Sequence, residues 1–157
     1  MSTRPGSVVR QTGWAGGLVA ATVIALAGCS GGAPAPSASD TPQVVVQEFI
    51  AALDGHDADR ALALLTPLQR ERVANAADSW LTNVEGLRDV SIGMPRDESG
   101  TSLASATRYR FVVRVPVDFT LQQKREVSMV NGRTVWGYVL VRNAQTDPWL
   151  IDDQGVD

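Results

Sequence analysis

The side chains able to do chemistry are few, and their spacing narrows what they can do. The chain carries one cysteine, Cys29, and one histidine, His56. One of each cannot assemble a zinc site of the usual four-ligand kind, and a lone cysteine closes no disulfide within the chain. His56 sits in Asp54-Gly55-His56-Asp57, flanked by acids as a general base would be. That stretch is a turn between two helical patterns, which favours a solvated loop residue over a pocket base. Asp118 and Tyr109 are the two groups an acid–base enzyme of this sequence would use. Asp118 shares its strand parity with Arg110 and Arg114, so a surface charge pair accounts for it. Tyr109 shares its parity with Phe111 and is expected to pack there. Tyr138, with Trp136 and Leu140, is expected on one strand face, where half-buried tyrosines are ordinary. Asp152 and Asp153 are sequence neighbours, so a strand would turn them to opposite faces, and they read as the end of the sheet. Trp80, Trp136 and Trp149 read as core anchors. No serine elbow, glycine-rich phosphate loop or metal-ligand spacing occurs. No cofactor is implied.

The elements that must position these groups are limited by the composition. The chain has 157 residues, 14 basic and 17 acidic side chains, a net charge of −3 and 44% hydrophobic residues. That is room for one ordinary domain, and too little apolar content for a polytopic membrane protein. Mild acidity with scattered arginines argues against nucleic acid as a partner.

Residues 1–28 read as a signal segment. Arg4 and Arg10 precede an uncharged apolar run, Trp14 to Gly28. That run is shorter than the roughly 20 residues a membrane-crossing helix needs and suits a signal core. Leu26, Ala27, Gly28 and Cys29 close it, and this quartet resembles the lipobox of bacterial lipoproteins. The resemblance implies cleavage before Cys29 and a lipid on its thiol. The mature chain would then hold 12 basic against 17 acidic residues, net −5. A basic patch would not hold it to an anionic membrane; the lipid would. Residues 29–40, rich in Ser, Pro, Ala and Gly, read as a disordered tether.

Residues 41–157 read as one α+β domain. Thr41-Pro42 opens a helix whose stripe is Val45, Phe49, Ala52 and Leu53, closed by Gly55. Asp57 caps a short second helix. Thr66-Pro67 opens a third, expected to run through Trp80 and Leu81 toward Gly86. Everything after Gly86 reads as strand: 87–94, then 109–121 with strict alternation, 134–142, and a short 149–151. Pro116 within the long strand predicts a bulge, a bend or an exposed edge. Asn131-Gly132 predicts a two-residue turn. Helices first and strands after predict helices laid on one face of a curved, mostly antiparallel sheet.

The opening PQVVVQEFIAAL, the ADRALALL helix, the long 109–121 strand and the closing TVWGYVLVR…DPWLIDDQG together resemble the NTF2-like lipoproteins of actinobacteria. The resemblance implies a cone-shaped α+β domain. That superfamily holds both enzymes, such as ketosteroid isomerases, and members that only bind partners, so the site must decide. The expected function is a membrane-anchored envelope lipoprotein whose non-catalytic domain contacts another envelope protein. The alternatives are a carrier or sensor of a small apolar ligand in the cone, and an isomerase- or dehydratase-like enzyme. The expected location is the extracytoplasmic face of the cell membrane, through the lipid on Cys29.

Overall fold

A computed structural model describes residues 35–76, 79–127 and 129–156. The signal segment, the lipobox residues Leu26, Ala27, Gly28 and Cys29, and the first part of the tether lie outside the described residues. The last part of the tether makes a local turn, in which Ser37 N–H donates to Asp40 Oδ2 at 2.8 Å and Asp40 N–H to Ser37 O at 3.1 Å. No helix among the described residues is long and apolar enough to cross a membrane.

Four helices come first: α1 (Pro42–Asp54), α2 (Ala58–Ala63), α3 (Pro67–Asn75) and α4 (Trp80–Asn83). Each begins where a side-chain oxygen can take an orphan N–H. Thr41 accepts from Val44, Asp57 from Arg60, Thr66 from Gln69 and Ser79 from Leu81. Helix α1 closes at Gly55, as expected. The left-handed residue is His56, at φ 55°, while Gly55 stays right-handed. His56 N–H bonds Leu53 O and Asp57 N–H bonds Ala52 O, the paired closure that terminates a helix. The lone histidine is thus a helix stop. The expected long third helix is interrupted: α3 ends at Asn75, Ala76 is extended, and a separate single turn carries Trp80 and Leu81.

The strands are β1 (Val84–Ile92), β2 (Arg96–Asp97), β3 (Phe111–Gln123), β4 (Gly132–Arg142) and β5 (Leu150–Val156). They form one curved, open antiparallel sheet in the order β1-β3-β4-β5, with β2 also on β3. Pro116 lies in the central strand rather than at an edge. Its carbonyl accepts from Gly93 N–H at 2.8 Å, so its missing donor faces the break between β1 and β2, where no ladder bond is lost. Gly93 is needed there, because a Cβ would stand 2.8 Å from Pro116 Cγ. The 124–131 connection replaces the expected two-residue turn. Asn131 works in it through its side chain, accepting from Gln123 N–H at 2.7 Å.

Each border of the sheet is met at one point. On β1, Leu87 N–H donates to Asp54 Oδ1 at 2.8 Å. Beside β5, Thr66 N–H donates to Ile151 O at 2.8 Å and Ile151 N–H to Leu64 O at 2.9 Å. The helices cover the inner face, where Val45, Phe49, Leu65, Phe119, Leu121, Tyr138 and Ile151 belong to one buried cluster. On the outer face Val112, Val139 and Val141 form a second, smaller cluster under Leu103, Ala106 and Tyr109. Tyr109 therefore packs opposite to the Phe111 side on which it was expected, because β3 begins only at Phe111 and Tyr109 belongs to the preceding turn. Likewise Trp149 precedes β5, and the strand runs on through Asp152, Asp153 and Gln154 instead of ending there.

Candidate functional site

The inner face is where a cone-shaped domain would hold a pocket, and aromatic rings occupy it. Phe49 meets Tyr138 edge-on at 5.5 Å between centroids. Trp80 stacks on Trp136 at 5.1 Å and stands edge-on to Phe119 at 6.0 Å. Strand β4 sets this up by alternation, since Trp136, Tyr138 and Leu140 point inward as expected. Two polar atoms are carried in with the rings: Trp136 Nε1 and the Tyr138 hydroxyl are buried without a hydrogen-bond partner. Burial pushes the Tyr138 hydroxyl far above the ordinary phenol range. It stays neutral, able to donate a hydrogen bond and unable to serve as a base.

Neither sequence-predicted acid–base candidate enters that interior. Asp118 lies on the outer side of β3, where Arg133 of β4 grips both carboxylate oxygens, with Nε at 3.0 and 3.1 Å and Nη2 at 2.5 Å. This is the surface charge pair that strand parity implied, with Arg133 as the partner in place of Arg110 or Arg114. The Arg133 hydrogen bonds hold the Asp118 carboxyl below the usual aspartate value. A carboxylate so held is a poor proton acceptor. Tyr109 is half-buried beside a cleft of about 240 Å³ that also touches Thr66, Pro67, Arg142, Asp147 and Leu150. The structure does not bring Asp118 and Tyr109 together: they belong to opposite ends of the outer surface.

The most organised polar group is one the sequence reading treated as a strand end. Asp152 is 0% exposed. Its Oδ1 accepts from Thr66 Oγ1 at 2.9 Å; its Oδ2 accepts from Ser105 Oγ and from Arg108 Nη2, each at 2.6 Å. A bulge explains how it gets there. Val139 pairs with Asp153 and Leu140 with Ile151, leaving Asp152 as the extra residue outside the alternation. Its neighbour Asp153 is exposed, so no paired-acid site forms. The 105–109 turn, closed by Arg108 and Tyr109 N–H bonds to Ser105 O at 3.0 Å each, presents Ser105 and Arg108 to the same carboxylate. With both oxygens engaged by three donors, Asp152 ties α3, the covering loop and β5 together. No sequence signal pointed to it, because its partners lie 86, 47 and 44 residues away.

Of the remaining candidates, Trp149 is buried under Arg142, whose guanidinium lies 4.3 Å from the ring centroid, a cation–π contact that makes it an anchor. Among the described residues no group of three or more His, Cys, Asp or Glu side chains could hold a metal ion. A shallow groove of about 440 Å³ runs between α1 and β1, lined by Gln47, Ile50, Ala51, Asp54, Leu87, Val90 and Ile92. Val90 is exposed in it, and Met94, well exposed, reaches back to α1, its sulfur 3.9 Å from Gln43 Nε2.

The chain belongs to DUF4829, a domain of unknown function, whose family model matches residues 43–155. That span covers the helices from Gln43 onward and the sheet as far as Gly155. No curated protein matches the chain.

Proposed function

We propose that this is a lipid-anchored envelope protein whose NTF2-like domain docks a protein partner without catalysis. The observation that carries this reading is the filled interior. Phe49, Phe119, Trp136 and Tyr138 occupy the space a cone pocket would use, and the acids lie elsewhere. An isomerase or dehydratase needs a tuned acid or base facing a pocket, and a carrier of an apolar ligand needs an empty one. The groove between α1 and β1, walled by Ile50, Ala51, Leu87 and Ile92, leaves Val90 exposed, and exposed apolar surface suits partner binding. The α+β order, with helices on one face of a curved antiparallel sheet, supports the NTF2-like resemblance. The Leu26-Ala27-Gly28-Cys29 quartet supports the lipid anchor. The lipid on Cys29 would bring the domain to the extracytoplasmic face of the cell membrane.

Two measurements test it. Cells fed an alkyne fatty acid should label the chain, and Cys29→Ser should lose both the label and the membrane fraction. Proximity labelling from the full-length chain should then recover a specific envelope protein, and Val90→Asp in the groove should abolish that recovery while the chain stays folded. Turnover of a substrate that disappears in Asp118→Asn would overturn the reading in favour of an enzyme.

A further inference from the structure

The edge of the inner cluster carries a second opening, unrelated to the α1–β1 groove. Where α3, the start of α4 and β5 converge there is a cleft of about 230 Å³, lined by Gln69, Arg72, Val73, Ser79, Trp80 and Gln154. Its polar groups are of different kinds. Gln69 is 6% exposed, and its Oε1 is buried with no hydrogen-bond partner. Buried amide oxygens in folded proteins are ordinarily satisfied by protein, water or ligand. Gln69 is also held in place: its N–H donates to Thr66 Oγ1 at 3.2 Å, and that same hydroxyl donates to buried Asp152. Arg72 follows one helical turn later on the same side of α3, is exposed, and makes no hydrogen bond or ion pair among the described residues. Trp80 supplies a flat, half-buried wall, backed by Trp136 at 5.1 Å and 26° between planes.

A buried acceptor without a partner, a guanidinium and an indole on the wall of one cleft make a specific combination. We propose that this cleft binds a small single-ring aromatic carboxylate that carries a hydrogen-bond donor away from its acid. The acid lies against Arg72, the ring on Trp80, and the donor on Gln69 Oε1. The size agrees: an engineered cavity of about 150 Å³ accepts benzene, and the larger cleft leaves room for two polar substituents. The ligand differs from the apolar molecule expected inside the cone, and the proposal stands apart from the docking reading.

The test uses 4-hydroxybenzoate, titrated into the full-length chain in detergent micelles and followed by tryptophan fluorescence and calorimetry. Saturable binding is expected. Gln69→Leu should weaken it about tenfold or more while raising Tm, because it replaces an unsatisfied buried carbonyl with hydrocarbon of similar size. Arg72→Gln, on the exposed side of the helix, should weaken 4-hydroxybenzoate and leave the uncharged 4-hydroxybenzamide unaffected. Absence of saturable binding at millimolar concentration overturns the proposal. So does binding that survives both substitutions, or a Gln69→Leu chain with lowered Tm, which would make the amide a structural group. Partner recovery in cells is a separate readout, so the two readings fail independently.

Discussion

The two faces of the sheet are made by the same alternating strands, yet they treat their polar atoms in opposite ways. The inner face buries three aromatic residues of β3 and β4, Phe119, Trp136 and Tyr138, and leaves Trp136 Nε1 and the Tyr138 hydroxyl without partners. The outer face has a small apolar cluster, and the group at its β5 border, Asp152, has every strong acceptor engaged. Apolar area holds the inner face together, and its unpaired atoms are tolerated because neutral groups lose modestly on burial. A buried carboxylate could not be tolerated that way, so the loop covering the outer cluster is built around satisfying one. Further along the outer surface Asp118 meets an arginine just as Asp152 does, but with 32% of its side chain exposed. Burial, and not the presence of an ion pair, separates a fastening from an ornament.

That contrast can be broken by measurement. The largest effect is expected at Asp152: Asp152→Ala should lower the unfolding free energy by about 3 kcal/mol, read by urea denaturation. It should also speed amide exchange across 99–110, the loop it fastens. A change as small as that of an exposed pair would show that the latch is redundant.

A smaller effect, visible only in alkali, is expected at Tyr138. Its folded-state pKa is raised, so the stability it contributes is whole below the unfolded value of about 10 and is lost as pH rises above it. The unfolded chain can release that proton and the folded chain resists doing so. Tyr138→Phe should unfold within about 1 kcal/mol of the parent at pH 7 and should lose less stability than the parent above pH 10. Equal alkaline losses would mean that the hydroxyl finds a partner.

The smallest effect is expected at Asp118. Its lowered pKa places its contribution above the unfolded value near 3.9, to be lost only as pH falls through the folded one. Because the pair is exposed and screened, Asp118→Asn should leave the urea midpoint at pH 7 unchanged within error. A clear drop there would erase the distinction between the two carboxylates.

What could be seen in the sequence was local. Thr41, Asp57 and Thr66 announce their helices because a cap is decided within three residues. The long β3 strand shows itself through Val115, Val117, Phe119 and Leu121, since alternation reports one buried face directly. The inward trio of β4 follows by the same rule. What escaped was set at a distance or by a broken rule. Pro116 in a central strand makes sense only once Gly93 and the β1–β2 gap face it. Asp152 was misplaced because a bulge took it out of the two-residue period on which its assignment rested. Gln69 carries no mark in the sequence; the cleft that it lines is completed by Ser79 and Trp80 at α4 and Gln154 of β5. The site was therefore harder to read than the fold, because its residues meet only after packing.

The two borders of the sheet bear on how this protein can associate. A bare outer strand is a template onto which another chain can zip, backbone to backbone, and crowded proteins polymerise by that route. Here the Asp54 carboxylate takes one donor of β1, and residues 64–66 meet β5 at Ile151. At Leu87 and Ile151 an incoming strand would find the backbone positions already taken, so a partner that zips onto either border must register around those two points.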